Sequence, residues 1–505
     1  MKTRVPQPNT HLIPKPQDKE KKMRSSRVAA AGRAVPTRLK HLAILLSTIL
    51  TTSLFYFLLH HHLLISPLPL LTKPDYQRIS TLPPPPPPPL IPSTNLSHLF
   101  FTVASSLSSL PRRAPYFSLW HSPLIRILFF LDRRPPPNQL PFRTLPFAVS
   151  ADTSRFPYSF HRGSRSALRV ARLVKESVDL DPPGVRWFVF GDDDTVFFPE
   201  NVVAVLGKYD YRKWYYVGSN SESLEQSLNM GFNMAYGGGG FALSAPLAKA
   251  LARVLDSCLM RYPHLYGSDA RISACISELG VQLTREPGFH QFDVRGDLFG
   301  MLTTHPLSPL LSLHHLEIVE PIFPHMNQTQ GLKHFFKAYR ADPGGILQQT
   351  VCYDHSSNVT VSVSWGYAVQ VFDGNQLLPD ILSSQRTFTP WRRRGINISG
   401  QYSLDTRDYP RDHCKRPIVF FFEDVASGTG RVWTKYSRHT DRKCPRSDSI
   451  KNLKDIKVFV KKLQHNFEQI ITPRRQCCDI LRPFGKSMVI DIRHCGFDEL
   501  IAMDP

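Results

Sequence analysis

A buried-strand pattern that ends in three consecutive carboxylates constrains this chain more than any other feature. The segment reads RWFVFGDDD over 186–194, with the apolar residues Trp187–Phe190 ahead of Asp192, Asp193 and Asp194. Adjacent carboxylates repel one another unless a cation or water lies among them. At a strand end of an open α/β sheet they face the crevice where ligands bind, and their oxygens suit Mg²⁺ or Mn²⁺. An acidic surface turn is the competing interpretation, and the buried strand in front weighs against it.

Strand and helix patterns alternate on both sides of this strand. Apolar strand patterns occur at Leu99–Ser106 and Trp214–Ser219, and helical stripes occur at Ser164–Val178 and from Ser244 onward. Such alternation predicts an α/β sheet with ligand sites at the strand ends. We therefore place an α/β domain at residues 98–344.

The sequence pattern changes after about residue 345. The segment Thr360–Phe372 alternates in polarity, and six of the eight cysteines lie in this part of the chain. We predict a β-rich, disulfide-supported domain over 345–505. Six cysteines allow fifteen pairings, and the sequence does not choose among them. A bridge between the other two, Cys258 and Cys275, would brace the loop between them.

The N-terminal region predicts a membrane anchor. Residues 42–59 are uncharged, and 18 residues at about 1.5 Å each just cross a hydrocarbon core of about 30 Å. A cleaved signal peptide is the alternative, but its apolar stretch should be only about 7–15 residues long. Residues 1–41 hold eleven Lys or Arg, which predicts a basic cytosolic tail and a type II orientation.

A proline-rich stem is expected to follow the anchor. Residues 60–97 include the seven consecutive prolines Pro83–Pro89, whose only plausible conformation is a stiff polyproline II segment. The even number of cysteines suits an oxidising compartment. The sequence also contains four Asn-x-Ser/Thr sequons, at Asn95, Asn327, Asn358 and Asn397. We therefore expect a glycoprotein of the Golgi membrane with its catalytic part in the lumen.

The composition limits the function classes. Hydrophobic residues make up 42% of the chain, which excludes a wholly disordered protein. The 62 Lys and Arg against 41 Asp and Glu give a formal charge of +21, which by itself fits nucleic acid, a membrane surface or small anions. The basic tail accounts for part of this surplus, and we expect no nucleic-acid partner.

Several motifs together resemble a known family. They read WFVFGDDDTVFFPENVVAVLGKYD, YYVGSNSES, MAYGGGGFALS, RYPHLYGSDARISACISELGV, TREPGFHQFDVRGD and HPLSPLLSLHHLEIVEPIFP, in this order. They resemble the plant Fringe-related glycosyltransferases of the β-1,3-glycosyltransferase clan, over nearly all of residues 99–340. SVSWGYAVQVF and the adjacent Cys477 and Cys478 resemble the C-terminal region of the same family.

The resemblance implies a GT-A (Rossmann-like) fold and an inverting, metal-dependent transfer. The donor would be a UDP-sugar and the cofactor Mn²⁺ or Mg²⁺. The sugar would pass to a hydroxyl of a glycan or glycoconjugate acceptor, with a β-1,3 linkage. When the family's residue roles are transferred to the matching motif positions, Asp194 is the direct metal ligand, and Asp192 and Asp193 contact the nucleotide. In the motif SLHHLE, His315 is the expected second metal ligand, and His314 is the alternative candidate.

The tetraglycine Gly237–Gly240 suits a ligand lying against bare backbone, because four glycines cost much backbone entropy. A flexible loop is the alternative. No Gly-Lys-Ser/Thr follows, so a P-loop is not indicated. By resemblance, Gly238, Gly239 and Gly240 border the donor sugar.

Asp269 opens a helical pattern, so an N-cap is its default role. The resemblance makes it the catalytic base instead. Arg112, beside Arg113, would help to bind the nucleotide, with a solvated basic loop as the alternative. A catalytically silent carbohydrate-binding or scaffold protein remains a second function class, because a fold does not guarantee activity. The donor sugar and the acceptor are left open.

Overall fold

The computed structural model describes residues 37–64, 93–136, 144–391, 401–439, 444–463, 470–481 and 485–502. It divides into two units, Met1–Pro89 and Leu90–Pro505. Residues 1–36 of the predicted tail, residues 65–92 of the predicted stem and the sequon at Asn397 lie outside the described residues.

The first unit contains one described helix, α1 (Thr37–Leu64). The side chains of its residues 45–60 are all exposed. Within the described residues, no helix has both the length and the apolarity that a membrane crossing requires. The predicted transmembrane anchor at 42–59 is therefore not supported.

The second unit begins with an α/β part. Its strands are β1 (Leu99–Ala104), β2 (Arg126–Leu131), β3 (Phe147–Val149), β4 (Trp187–Asp192), β5 (Val196–Phe197), β6 (Tyr216–Gly218), β7 (Phe241–Ser244), β8 (Leu283–Arg285), β9 (Phe289–His290), β10 (Val294–Gly296) and β11 (Ser312–Leu313). Its helices are α2 (Leu110–Trp120), α3 (Ser166–Asp179), α4 (Pro199–Leu206), α5 (Leu224–Met230), α6 (Ala245–Arg261), α7 (Gly267–Glu278), α8 (Phe299–Thr303) and α9 (Gln328–Ala341). The short 3-10 helix Leu96–His98 precedes β1, and Pro343–Gly345 follows α9.

The main sheet of this part has seven strands in the order β3-β2-β1-β4-β7-β6-β8. Strands β3, β2, β1 and β4 are parallel, and β7 is antiparallel to both β4 and β6. A parallel sheet is covered on both faces, so its central strands are apolar throughout. All six residues of β1 are buried, as are five of the six in β4. The predicted α/β class with a Rossmann-like sheet is confirmed.

Helices α3, α6 and α7 pack on one face of this sheet. The apolar faces of α3 and α6 meet in a core that includes Leu168, Val174, Leu251 and Leu255. A disulfide joins Cys258 in α6 to Cys275 in α7. This is the bridge that the sequence suggested, and it ties the C-terminal half of α7 to the C-terminal half of α6.

The β-rich part follows. Its elements are β12 (Gln349–Asp354), β13 (Val359–Ser364), β14 (Ala368–Asp373), α10 (Leu378–Leu382), β15 (Ser384–Gln385), β16 (Phe388–Pro390), β17 (Thr406–Arg407), the 3-10 helix His413–Lys415, β18 (Ile418–Ser427), β19 (Arg431–Arg438), β20 (Asp455–Lys461), β21 (Cys477–Leu481) and β22 (Ser487–Arg493).

Its main sheet has eight strands in the order β12-β13-β14-β18-β19-β20-β22-β21. The pairs are antiparallel except β20 with β22. Burial alternates along β20, so one face packs inward and the other meets solvent. Disulfides join Cys352 to Cys478, Cys414 to Cys444 and Cys477 to Cys495. The predicted β-rich, disulfide-supported region is confirmed.

The two parts share one hydrophobic core. Phe335 and Phe336 of α9 belong to the same buried cluster as Val361 of β13 and Phe420 of β18. The predicted boundary at 344/345 falls in the 3-10 turn Pro343–Gly345. Small sheets link other segments: β5-β11-β9 lies beside the acidic triplet, and β10 pairs with β16 of the β-rich part.

Candidate active site

The acidic triplet lies at the carboxyl end of β4, as predicted. The chain turns sharply there because the N–H of Asp192 donates to Thr195 Oγ1 at 2.8 Å, and that hydroxyl donates to Gly238 O at 2.8 Å. Gly191 is required before the turn, since a Cβ there would lie 2.8 Å from the Phe197 ring. The turn thus places Asp192 and Asp194 near His314, whereas Asp193 has other partners.

Asp193 points toward the neighbouring strand end. Its Oδ2 accepts from Ser105 Oγ at 2.6 Å and from Ser109 Oγ at 2.5 Å, at the end of β1 and the start of α2. These hydroxyls satisfy a buried carboxylate that would otherwise be costly. In this structure Asp193 therefore holds α2 against the sheet, and its predicted contact with the nucleotide stays a prediction.

Asp194 and His314 form the centre of the site. His314 Nε2 lies 3.1 Å from Asp194 Oδ1 and 3.9 Å from Asp192 Oδ2. Ligand atoms of these three residues all lie within 4.8 Å of one another. One imidazole nitrogen and two carboxylate oxygens suit a divalent ion such as Mn²⁺. The residues present therefore fit the metal that the acidic triplet implies.

The electrostatics of this centre fit a cation. Burial alone would lower the pKa of His314, but Asp194, which also hydrogen-bonds it, and Asp192 raise that pKa to about 9. Burial acts to raise the pKa of Asp194, yet the His314 charge and hydrogen bond and the Arg113 charge hold it below its ordinary value. Burial raises the pKa of Asp192, although 42% of its side chain is exposed. The positive charge of protonated His314 therefore lies beside the carboxylates where a metal ion would bind.

His315 does not join this group, so the predicted metal ligand is corrected. The backbone at His315 is left-handed, with φ of 57°. Its Nδ1 lies 3.2 Å from Asp293 Oδ1, and its ring stacks on Trp391. The alternative candidate, His314, takes the position that the sequence analysis gave to His315.

The basic residue at the site is Arg113, not Arg112. Arg112 is exposed, whereas Arg113 is one residue further round the first turn of α2. Arg113 Nη1 lies 3.2 Å from Asp194 Oδ2 and 2.6 Å from Glu317 Oε1. The predicted contact of Arg112 with the nucleotide stays a prediction. Arg113 already neutralises part of the triplet and is placed to meet an anionic ligand.

The tetraglycine loop is needed for close packing of the site's own side chains. A Cβ at Gly237 would lie 2.9 Å from Asp269 Oδ1, and one at Gly238 would lie 2.1 Å from His314 Cε1. Gly240 has φ of +87°, which a glycine adopts without strain. Gly238 lines the pocket, but Gly239 packs against Gln291 and does not. Gly239 and Gly240 do not line this pocket, and their predicted place beside the donor stays a prediction.

Asp269 lies in the first turn of α7 but does not cap it. The N-cap position is Tyr266, so the default cap interpretation is wrong. Asp269 Oδ2 accepts from the N–H of Gly237 at 3.0 Å, and Oδ1 accepts from Ser268 Oγ at 2.7 Å. The carboxylate is thereby fixed at the pocket wall, with lone pairs left for another donor.

One pocket brings these groups together. Its volume is about 360 Å³, and its lining includes Asp192, Gly238, His314 and Asp269. The metal-binding half and the candidate base therefore face the same space. Such a concave site with a few convergent polar groups is typical of a substrate pocket.

Sequence reasoning missed three residues of this pocket. Gln291 accepts from the N–H of Gly239 at 2.6 Å, and Asp293 accepts from Ser221 Oγ at 2.7 Å. Both occur in the motif HQFDVRGD, which carried a usable signal. Trp391 also lines the pocket but comes from the β-rich part, and its sequence context gave no sign of this.

Comparisons with known proteins agree with this geometry. A family model described as "Protein of unknown function, DUF604" matches residues 226–478. A second model, described as Fringe-like, matches residues 138–298, which include the acidic triplet and Asp269. No curated protein matches the chain. The DUF604 match covers half of the chain and runs from the α/β part into the β-rich part. The chain therefore belongs to the DUF604 family, a Fringe-related family of glycosyltransferases.

Proposed function

We propose that this protein is an inverting, metal-dependent glycosyltransferase that moves a sugar from a UDP-sugar to a hydroxyl of a glycan acceptor. One observation carries the proposal: a single pocket is lined by Asp192, His314 and Asp269. Transfer needs a cation site for the leaving diphosphate and a carboxylate for the acceptor proton. The family to which the chain belongs supports the same reaction class.

The donor half consists of Asp192, Asp194, His314 and Arg113. A bound Mn²⁺ or Mg²⁺, held by the first three, would neutralise charge that develops on the diphosphate. Arg113 Nη1 lies 3.2 Å from Asp194 Oδ2, and its guanidinium suits phosphate oxygens. The turn at Thr195 keeps these groups in place before any ligand arrives, which reduces the reorganisation cost of transfer.

Asp269 serves the acceptor half. The acceptor oxygen forms a bond to the anomeric carbon while the bond from that carbon to the diphosphate oxygen breaks. The hydroxyl proton passes to the Asp269 carboxylate, and the electron pair leaves with UDP. Hydrogen bonds from Gly237 and Ser268 hold the carboxylate in position for this step. Attack opposite the leaving group inverts the anomeric centre, and we propose a β-1,3 linkage.

The rim beside Asp269 suits a glycan. Tyr266 lines the pocket and is 48% exposed, and its ring lies 5.2 Å from that of Phe160, which is 36% exposed. Exposed aromatic rings beside a polar pocket offer apolar faces to the C–H side of a sugar ring. We therefore place the acceptor between this aromatic pair and Asp269.

The proposal is tested by incubating the full-length protein with UDP-sugars and measuring released UDP. We expect Mn²⁺-dependent UDP release with at least one UDP-sugar. In the Asp194→Ala variant the rate of UDP release should fall about a thousandfold or more, since metal stabilisation contributes several kcal/mol. Asp424→Ala, which removes an exposed carboxylate of β18, is the matched control and should behave as wild type.

The alternative function, that of a catalytically inactive protein, predicts different results. A carbohydrate-binding or scaffold protein would bind glycans without releasing UDP from any donor, and Asp194→Ala would leave glycan binding unchanged. Metal-independent UDP release would also count against the proposed donor site.

We further propose that the protein works in the Golgi lumen. Four disulfides pair all eight cysteines, and this supports an oxidising compartment. Co-fractionation with Golgi markers, together with protection of the protein from protease in sealed vesicles, would support this location. Cytosolic recovery of the reduced protein would contradict it.

A further inference from the structure

The β-rich part reaches the candidate active site through one residue. Strand β16 pairs with β10 in antiparallel register, with Val294 opposite Pro390, so the chain delivers Trp391 beside the pocket. Arg295 Nε donates to Trp391 O at 2.9 Å and fixes its backbone. The Trp391 side chain therefore occupies a defined position at the wall of the pocket.

Trp391 belongs to a column of stacked groups that leads to the metal-binding residues. Its ring is nearly parallel to that of His315, with centroids 4.6 Å apart and an interplanar angle of 17°. The His315 and His314 rings follow at 3.9 Å, and His314 contacts Asp194. The Arg295 guanidinium lies 4.9 Å from the centroid of the Trp391 ring.

The backbone at His315, in the middle of this column, is strained. A left-handed conformation at a residue other than glycine costs about 1–2 kcal/mol, and His315 adopts it with φ of 57°. This conformation places two consecutive imidazoles on the same side of the chain. It persists only if the surroundings hold the His315 ring, which stacks on Trp391 and whose Nδ1 lies 3.2 Å from Asp293 Oδ1.

We propose that Trp391 is a positioning residue supplied by the β-rich part: by stacking on His315 it keeps His314 aimed at Asp194 and so forms the metal-binding half of the site. This inference rests on the proposed function, because it presupposes that the centre binds a divalent ion. It also gives the β-rich part a role in the reaction, since the α/β part alone lacks this contact.

The test measures the affinity of the full-length protein for Mn²⁺ in the presence of UDP by titration calorimetry. Trp391→Leu keeps apolar volume but removes the flat ring, so affinity should fall about 10–100-fold, as for other partners that orient metal ligands. Trp391→Phe retains a ring and should recover most of the affinity. Trp433→Ala removes a 37% exposed tryptophan of β19 and should match wild type.

The outcomes separate the two proposals. Equal Mn²⁺ affinity in wild type and Trp391→Leu would overturn the positioning role alone. A wild-type protein that binds no Mn²⁺ with UDP would overturn the proposed function and this inference together. Equal losses in the Leu and Phe variants would also contradict the stacking argument, because Phe preserves the contact that the proposal requires.

Discussion

The α/β part and the β-rich part place their charged groups differently. In the α/β part Asp193, Asp194 and His314 are 9%, 8% and 4% exposed and lie together at the carboxyl end of β4. In the β-rich part, pairs such as Lys435 with Glu423 lie on the outer face of the sheet, 36% and 44% exposed. Buried charges cost several kcal/mol each unless they are paired, whereas exposed pairs contribute about 0–1 kcal/mol.

The difference indicates which part carries the chemistry. The α/β part keeps a costly charged cluster at its strand ends, which makes sense if a ligand interacts with it. The β-rich part holds three of the four disulfides and supplies a rigid support instead. If this comparison is right, changes to charge in the first part should affect function more than stability, and cross-links in the second part should do the reverse.

The largest expected effect is that of Asp269→Asn on sugar transfer. The amide cannot accept the acceptor's proton, so transfer should fall about 10²–10⁴-fold, while Mn²⁺ and UDP affinities persist. Stability should change by less than about 1 kcal/mol, because an amide oxygen can still accept from Gly237 N–H. Transfer rates and urea denaturation of the variant measure both quantities.

A matched variant tests the alternative role of Asp269. Asp424→Asn makes the same chemical change at an exposed position of β18 and should affect neither quantity. Near-normal transfer by Asp269→Asn, together with lost stability in Asp269→Ala, would show that the carboxylate is structural.

The next largest effect concerns the disulfides and should appear in stability. The Cys352–Cys478 bridge spans 126 residues and Cys258–Cys275 spans 17. In the chain-entropy account, loss of these bridges costs about 5 and about 3 kcal/mol respectively. Paired Cys→Ser variants, unfolded in urea, measure both. A larger loss from the shorter bridge would mean that packing of α6 against α7, not chain entropy, decides the effect.

Gly238→Ala should have an intermediate effect on metal affinity. Its Cβ would lie 2.1 Å from His314 Cε1, so the imidazole must move from the carboxylates. We expect Mn²⁺ affinity to fall about 10–100-fold in calorimetric titrations. Gly428→Ala is the control, because its nearest neighbouring atom lies 3.8 Å away. Unchanged affinity in Gly238→Ala would exclude His314 as a ligand.

The sequence predicted those features of the fold that local patterns determine. The apolar run Trp187–Phe190 before the aspartates specified a buried strand and its functional end, and the alternation at Thr360–Phe372 specified β-structure, which the structure shows as the β13–β14 hairpin. These patterns act through periodicity alone, since a buried parallel strand is apolar throughout.

The remaining features of the site depend on tertiary geometry. His314 and His315 are adjacent, and only the left-handed backbone at His315 decides which ring meets Asp194. Which of Arg112 and Arg113 reaches Asp194 depends on the rotational orientation of α2 relative to the sheet. Trp391 reaches the pocket through the β10–β16 pairing, which no local pattern encodes.

The smallest expected effect is that of Glu423→Gln on the outer face of the β-rich sheet. Ser437 and Lys435 hydrogen-bond to this carboxylate and lower its pKa below the ordinary value. A lowered pKa in the folded state contributes stability at pH values above the unfolded pKa of about 4.3, and this contribution disappears as pH falls through the folded pKa. Because the pair is exposed, the variant should lose less than about 1 kcal/mol at pH 7, and the difference should shrink as pH falls below the unfolded pKa toward the lower folded pKa. Urea unfolding of both proteins at pH 7 and pH 4 measures this.

A loss of several kcal/mol, or a loss of sugar transfer, would show that charge in the β-rich part contributes as much as the buried cluster and would remove the distinction between the two parts.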